Sequence, residues 1–217
     1  MNTHPTIHTL KIPISQLPKL SNDQKFILVM RLARFYNQLS FCHTAFIQTP
    51  ANDEPISLRQ RFNSSMFASS VLYEAIKIVS DLGKEFKTYP SFKKGFGTFL
   101  RDKEVIYLRE KVLNKVRNGI VYHIDKGPIE ETLETLDIRQ LELFTITENE
   151  DVGLYFNLAD DIALNYLIGK HSSPEKEREY FVEVIDKISS VTQKFIKYTV
   201  ELIREYIQRK YWKLQTK

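Results

Sequence analysis

Residues 104–128, EVIYLREKVLNKVRNGIVYHIDKGP, decide how the chain is read. At 100° per residue, Val105, Leu108, Val112, Val116 and Ile120 form one stripe, and continuing the same helix puts His123 in it. This spacing predicts a helix over about 104–123. Asp125-Lys-Gly-Pro128 ends it, because Gly suits the left-handed position after a helix and Pro cannot continue the ladder. A second apolar row holds Ile106, Leu113, Val121 and Ile124, and Arg117 interrupts it. Burying an unpaired guanidinium is costly, so either an acid elsewhere pairs with Arg117 or the row faces a cleft or a second subunit. The existence of two apolar rows favours the second option.

Working outward, the same 3.6-residue period recurs on both sides. Ser21-Asn-Asp-Gln24 has the spacing of a capping box, followed by Phe26, Met30, Ala33, Asn37 and Phe41. A first helix is predicted over 22–48, with that row as its apolar stripe. Thr49 to Pro55 reads as a loop, and Ser57 caps a second helix whose stripe is Met66, Val71, Leu72, Ala75, Ile76, Val79 and Leu82, ending near Gly83 or a turn later. Pro90, Gly95 and Gly97 give residues 88–103 the look of a short broken helix. After residue 128, two β-prone runs at 141–147 and 152–158 predict a small hairpin, followed by a short helix over 159–169. Ser173-Pro174 opens a Gly-free final helix over 174–211, with Phe181, Val184, Ile188, Phe195, Leu202 and Tyr206 on one face. At ~1.5 Å per residue this helix is about 57 Å long, enough for its end to frame a partner subunit.

With 7 glycines and 8 prolines in 217 residues, the chain lacks the turn density of a sandwich or barrel. The expected fold is therefore all-α in the main. It is an up-and-down helical bundle with a long C-terminal helix and a hairpin inserted at about 141–158. An extended arm occupies 1–20 and one helical domain occupies 21–217. Cys42 is the single cysteine, which excludes a disulfide framework and a thiolate metal cluster within one chain. No secretion signal and no apolar run near the roughly 20 residues of a membrane helix is present, so the expected location is the cytoplasm, away from membranes.

The net charge of +4 is mild, but it is segregated. Residues 84–117 hold ten Lys or Arg against four acids, 194–217 hold seven against two, and 129–161 hold ten acids against Arg139 alone. The basic stretches can lie as solvated helix faces or can form a path for RNA. In the latter case Lys93, Lys94 and Lys115 are the candidate substrate-binding cations, and Tyr107, Tyr211 and Trp212 are available for stacking. His43 beside Cys42 diverges from it by 100° on a helix, so both are assigned to packing, and His4, His8 and His171 to loops.

Lys115-Val-Arg117-Asn118-Gly-Ile-Val-Tyr122-His123 is the one local cluster of reactive side chains. On an ideal helix the step from Arg117 to His123 spans 120° and about 9 Å. A single regular helix therefore does not make them one site. Gly119 can let the helix distort, His123 can lie past its last regular turn, or two copies related by a dyad can bring the residues together.

Arg-Asn followed by four residues and His, near the end of a long helix in a small all-α chain, resembles the signature of the HEPN superfamily. The resemblance is local to about 104–125 and extends loosely over the helices from 22 to 211. It implies a metal-independent endoribonuclease without cofactors, working as a homodimer whose two motifs face each other. It also implies a role as a toxin held by an antitoxin protein or as an effector of phage defence. Carried onto this chain, His123 would be the general base or acid at the RNA 2′-hydroxyl or leaving oxygen. Arg117 would hold the scissile phosphate, and Asn118 would position the motif or that phosphate. Some relatives carry Tyr two residues after the His. Here that position is Asp125, so regulation by modification of such a Tyr is not expected. The alternative reading is a non-catalytic helical module for protein or nucleotide binding, with Arg117 as a member of a structural ion pair.

Overall fold

A carboxylate that can accept orphan N–H groups fixes where the first long helix begins. Asp23 has an extended backbone and its Oδ1 accepts from the Phe26 N–H at 3.1 Å, while Ser21 Oγ donates to the Pro18 carbonyl at 2.9 Å. The capping role predicted for Ser21 thus belongs to Asp23. Ser21 instead closes the turn after α1 (Leu17–Leu20), a helical turn at the end of the expected arm. The computed structural model describes residues 15, 17–50, 55–121, 126–134, 145–146, 154–155, 157–169 and 173–211.

Helix α2 spans Gln24–Gln48, α3 Pro55–Lys77 and α4 Val79–Phe86. The second predicted helix is thus two, divided at Ile78, and its end at Phe86 is the turn after Gly83. The broken basic connection is α5 (Pro90–Lys94) and α6 (Phe96–Phe99). Gly95 is the break, and a Cβ there would stand 2.8 Å from the Tyr198 ring, so only glycine permits that approach. Helix α7 runs over 103–121 and is not uniform: Lys103–Tyr107 and Asn114–Val116 are α-helical, whereas Leu108–Leu113 and Arg117–Val121 are π-helical. Helix α8 (Lys126–Leu133) was not predicted. Gly127 and Pro128 read as terminators, yet they occupy its first turn, where the N–H that Pro lacks has no intrahelical partner to lose. Strands β1 (Thr145–Ile146) and β2 (Leu154–Tyr155) pair antiparallel, Thr145 opposite Tyr155, within the two β-prone runs. Helix α9 covers Asn157–Ile168 and ends at Gly169 with φ +75, and α10 covers Pro174–Tyr211.

One apolar core joins α2, α3, α4, α5, α6, α7, α9 and α10. The predicted stripe of α3 and α4 is buried throughout, as are Val105, Leu108, Val112 and Val116 of α7 and Val184, Ile188, Phe195, Leu202 and Tyr206 of α10. Helix α2 departs from its expected face. Met30 is 46% exposed and Phe41 72%, and the core takes Leu28, Val29, Leu32, Leu39 and Cys42 instead. Helix α2 is apolar on two sides, and the row richer in aliphatic side chains wins the interior because it removes more apolar area from water. Burial pushes the Cys42 thiol up to about 11, so it packs as a small protonated hydrophobe.

The C-terminal turns of α10, up to Lys210, pack on the chain's own first half. Tyr206 packs edge-on to Phe86 at 6.1 Å, Glu205 accepts from the Ser91 N–H at 2.9 Å and its hydroxyl at 2.5 Å, and Lys210 pairs with Asp23. Farther back, Lys194 Nζ donates to Asp102 and to Glu104 at 2.7 Å each, and Ser190 Oγ donates to Glu104 at 2.7 Å. Asp102 is also the N-cap of α7, accepting from the Glu104 N–H at 2.9 Å. One lysine therefore joins the start of α7 to α10. Among the described residues, no helix is long and apolar enough to cross a membrane.

Burial acts to raise Asp102, but its hydrogen bonds from Lys194 and the Glu104 N–H and the Lys194 charge leave it below 3.8. The hydrogen bonds from Lys194 and Ser190 hold Glu104 below 4.5. Both carboxylates titrate lower when folded, so their stabilisation is complete above that range and is lost as pH falls through the folded values. Lys194→Met is therefore expected to lower the melting temperature by a few degrees at pH 7, with the gap from wild type closing below about pH 4. Melts across pH 2.5–7 check this, and a gap that stays constant with pH would exclude the carboxylates as its source.

Candidate functional site

Arg117 opens the second π-helical turn of α7, and its guanidinium is held from three sides. Its Nε lies 2.7 Å from Glu74 Oε1 on α3, its Nη1 donates to Asn118 Oδ1 at 2.8 Å, and its Cζ stands 5.3 Å from the Tyr73 ring centre. Glu74 is itself fixed by Lys77, whose Nζ donates to both carboxylate oxygens at 3.1 and 3.2 Å. Lys77 also sits 4.0 Å from the Tyr73 ring centre, so that ring carries two cations. Asn118 Nδ2 donates in turn to Asn114 Oδ1 at 2.9 Å. Lys77, Glu74, Arg117, Asn118 and Asn114 form a continuous polar chain across the α3–α7 contact.

Of the two options open for Arg117, pairing with a distant acid is the one observed. The pair is neither deeply buried nor free in water: the Arg117 and Glu74 side chains are 30% and 35% exposed. The row that carried the expectation of an outward apolar face is also reassigned at its centre. Leu113 is fully buried in the chain's own core, while Ile106 and Val121 are half-buried. A charge at Leu113 would therefore disrupt the fold and would not report on an interface. Leu113 lies beside Val116 on the helix surface, so a core-facing stripe of ordinary width takes it in.

Gly119 has a specific reason to be glycine. A Cβ there would lie 3.0 Å from Tyr166 Cζ and 3.1 Å from its Oη, and closer still to Cε1. Tyr166 of α9 thus rests on the motif backbone, with Lys115 Nζ 4.5 Å from its ring centre. Helix α9 is tied at its other end by the ion pair of Arg59 with Asp160. The distortion that Gly119 was expected to permit is present as the π turn Arg117–Val121, so the ideal 120° step does not apply over those residues.

Arg117, Asn118 and Lys115 are thus together on one segment. His123 lies outside the described residues, as do Ile124, Asp125, Trp212, His4, His8 and His171. Lys93 and Lys94 are exposed but belong elsewhere, since α5 is seated on the C-terminal half of α10 through Ser91–Glu205 and Gly95–Tyr198. Tyr107 is engaged internally, its hydroxyl 3.3 Å from that of Tyr180 and its ring 5.0 Å from Lys187 Nζ. Among the described residues, no group of three His, Cys, Asp or Glu side chains is placed to hold a metal ion. Tyr73, Glu74 and Tyr166 escaped sequence reasoning because the motif residues they meet are more than 40 positions away, and Lys77 joins the site only through Glu74 and Tyr73. The available signal was that Tyr73-Glu74 and Lys77 interrupt the apolar stripe of α3 at the turn facing α7.

No protein-family model, no curated protein sequence and no solved structure matches this chain.

Gly119→Ala provides a test in which two effects have opposite sign. Helix propensity alone would make alanine more stable by about 1 kcal/mol, whereas the Tyr166 contact forbids its Cβ. The expected result is a net loss of roughly 1–3 kcal/mol in denaturant unfolding, abolished when Tyr166→Ala is combined with it. A stabilised Gly119→Ala single variant would mean that Tyr166 does not rest on this turn.

Proposed function

We propose that the chain is a metal-independent endoribonuclease of the HEPN type, cutting RNA by attack of a 2′-hydroxyl on the adjacent phosphate. The observation that carries the reading is Arg117. It is a half-exposed guanidinium, followed by Asn118 and later by His123 in the spacing of the HEPN signature, and oriented by an acid, an aromatic ring and an amide. An oriented guanidinium is suited to a phosphate because its fork of donors meets two oxygens and its charge opposes the negative charge that builds on them. In this mechanism His123 takes the 2′-hydroxyl proton, or returns one to the departing 5′-oxygen, since imidazole titrates near neutral pH. Asn118 contributes by fixing Arg117. Lys115 and Lys77 add positive charge beside it, and Tyr73 and Tyr166 supply aromatic surface.

The same reading includes a homodimer that unites two motifs, action in the cytoplasm, and a toxin or phage-defence role under an antitoxin or inhibitor protein. It assigns Lys93 and Lys94, on α5, to remote backbone contacts with RNA and not to the reacting phosphate.

The second reading, a non-catalytic binding module, is favoured by the Arg117–Glu74 ion pair, which is the arrangement a purely structural arginine would adopt. A thermal melt does not separate the two readings. If Arg117 is replaced by Met, Glu74 keeps Lys77 and a third of its exposure to water, so the loss is expected to be about 1 kcal/mol or less in either case. Chemistry does separate them. Wild type is expected to cut RNA in EDTA, and Arg117→Ala and His123→Ala each to cut it roughly 10²-fold more slowly with RNA affinity nearly unchanged. Intact RNA with wild-type protein, across total RNA and at enzyme excess, would leave the binding module as the function.

A further inference from the structure

We infer that Glu74 is a positioning residue for the ribonuclease reaction, acting through Arg117; this assignment rests on the nuclease reading above. Neither the motif nor its spacing includes Glu74, which lies 43 positions earlier and on another helix. The reason is geometric. Arginine has four rotatable side-chain bonds, and a guanidinium left to solvent spends that freedom over many rotamers. Here Glu74 Oε1 meets Nε at 2.7 Å, at the inner end of the guanidinium, and the Tyr73 ring flanks it at 5.3 Å. Asn118 takes a donor of Nη1 at 2.8 Å, on the far side. The Glu74 contact is a charge pair and not a directed hydrogen bond, so it sets the location of the group, while the Asn118 bond and the Tyr73 ring set its tilt.

Glu74 can perform this task because it does not itself wander. Lys77, one turn along α3, donates to both of its oxygens, and the Lys77 ammonium is seated over the same Tyr73 ring. The carboxylate is shared between a lysine that holds it and an arginine that it holds. Its charge also keeps the guanidinium on the α3 side of the π turn. Substrate phosphate need not displace Glu74. The effect of the carboxylate lies in orientation, and its removal should therefore slow the chemical step more than it weakens substrate binding.

The experiment uses the full chain with a short defined RNA in EDTA, and compares wild type, Glu74→Ala, Glu74→Gln, Arg117→Ala and the double variant Glu74→Ala/Arg117→Ala. Circular dichroism melts run in parallel. The expected result is a kcat for Glu74→Ala reduced by about ten-fold or more, with KM within about three-fold of wild type. Glu74→Gln, which keeps the size of the side chain but not its charge, should recover little of that loss. In the Arg117→Ala background the second substitution should make no further difference, because the residue it positions is gone. A purely structural Glu74 would instead lower the melting temperature and leave kcat per folded molecule unchanged, which would overturn the assignment. So would equal additional losses from Glu74→Ala with and without Arg117. Absence of cleavage by wild type is a distinct result that removes the nuclease reading and this role together, whereas cleavage by wild type with full activity in Glu74→Ala removes this role alone.

Discussion

A guanidinium withdrawn from most of its water requires a counter-charge, and at Arg117 that requirement is met across the contact of α3 with α7. Glu74 meets it from α3, and Lys77 neutralises what Glu74 brings. Around that contact the apolar parts of the helices close: Val112, Leu113 and Val116 beneath it on α7, and Val71, Leu72 and Ala75 beneath it on α3. Tyr166 then lies on Gly119 and brings α9 onto the same turn. At the other end of α7, Lys194 draws Asp102 and Glu104 to α10, so the motif helix is fixed electrostatically at both ends and by packing between them.

Much of this was legible in the sequence, and the physical reason is periodicity. The long helix Pro174–Tyr211, the buried stripe of α3, and Val105, Leu108, Val112 and Val116 follow from apolar spacing with no knowledge of partners. Periodicity fails where a helix has two apolar sides. Met30 and Phe41 were expected inside and lie outside, because the choice between two rows is made by what α3 and α10 present. It fails again where a core face is wider than one row, since Leu113, assigned to the second row of α7, is buried beside Val116. Local signals were ambiguous in the same way: Gly127-Pro128 reads as a terminator and lies in the first turn of α8.

The candidate site was half legible. Arg117 and Asn118 stand out as polar residues on a greasy helix, and their hydrogen bond is local. Glu74, Tyr73 and Lys77 could be located only by the fold, because α3 and α7 are separated by α4 and the broken connection of α5 and α6. The basic residues divide as well. Charge counting groups Lys93 and Lys94 with Lys115, but the chain turns at α5 and α6, leaving the first two against α10 and the third beside Tyr166. Proximity in sequence is a poor guide to a shared electrostatic surface when a helix break lies between.

The central claim is that this helical scaffold presents Arg117 to a phosphate attacked by the neighbouring 2′-hydroxyl. It is tested most directly by the ends of the RNA products. On a defined oligoribonucleotide in EDTA, the account predicts fragments ending in a 2′,3′-cyclic phosphate and a 5′-hydroxyl by mass spectrometry, and no cleavage when the nucleotide 5′ of the cut carries 2′-deoxyribose. Products bearing a 5′-phosphate and a 3′-hydroxyl, or equal cutting of the deoxy-substituted strand, would contradict it.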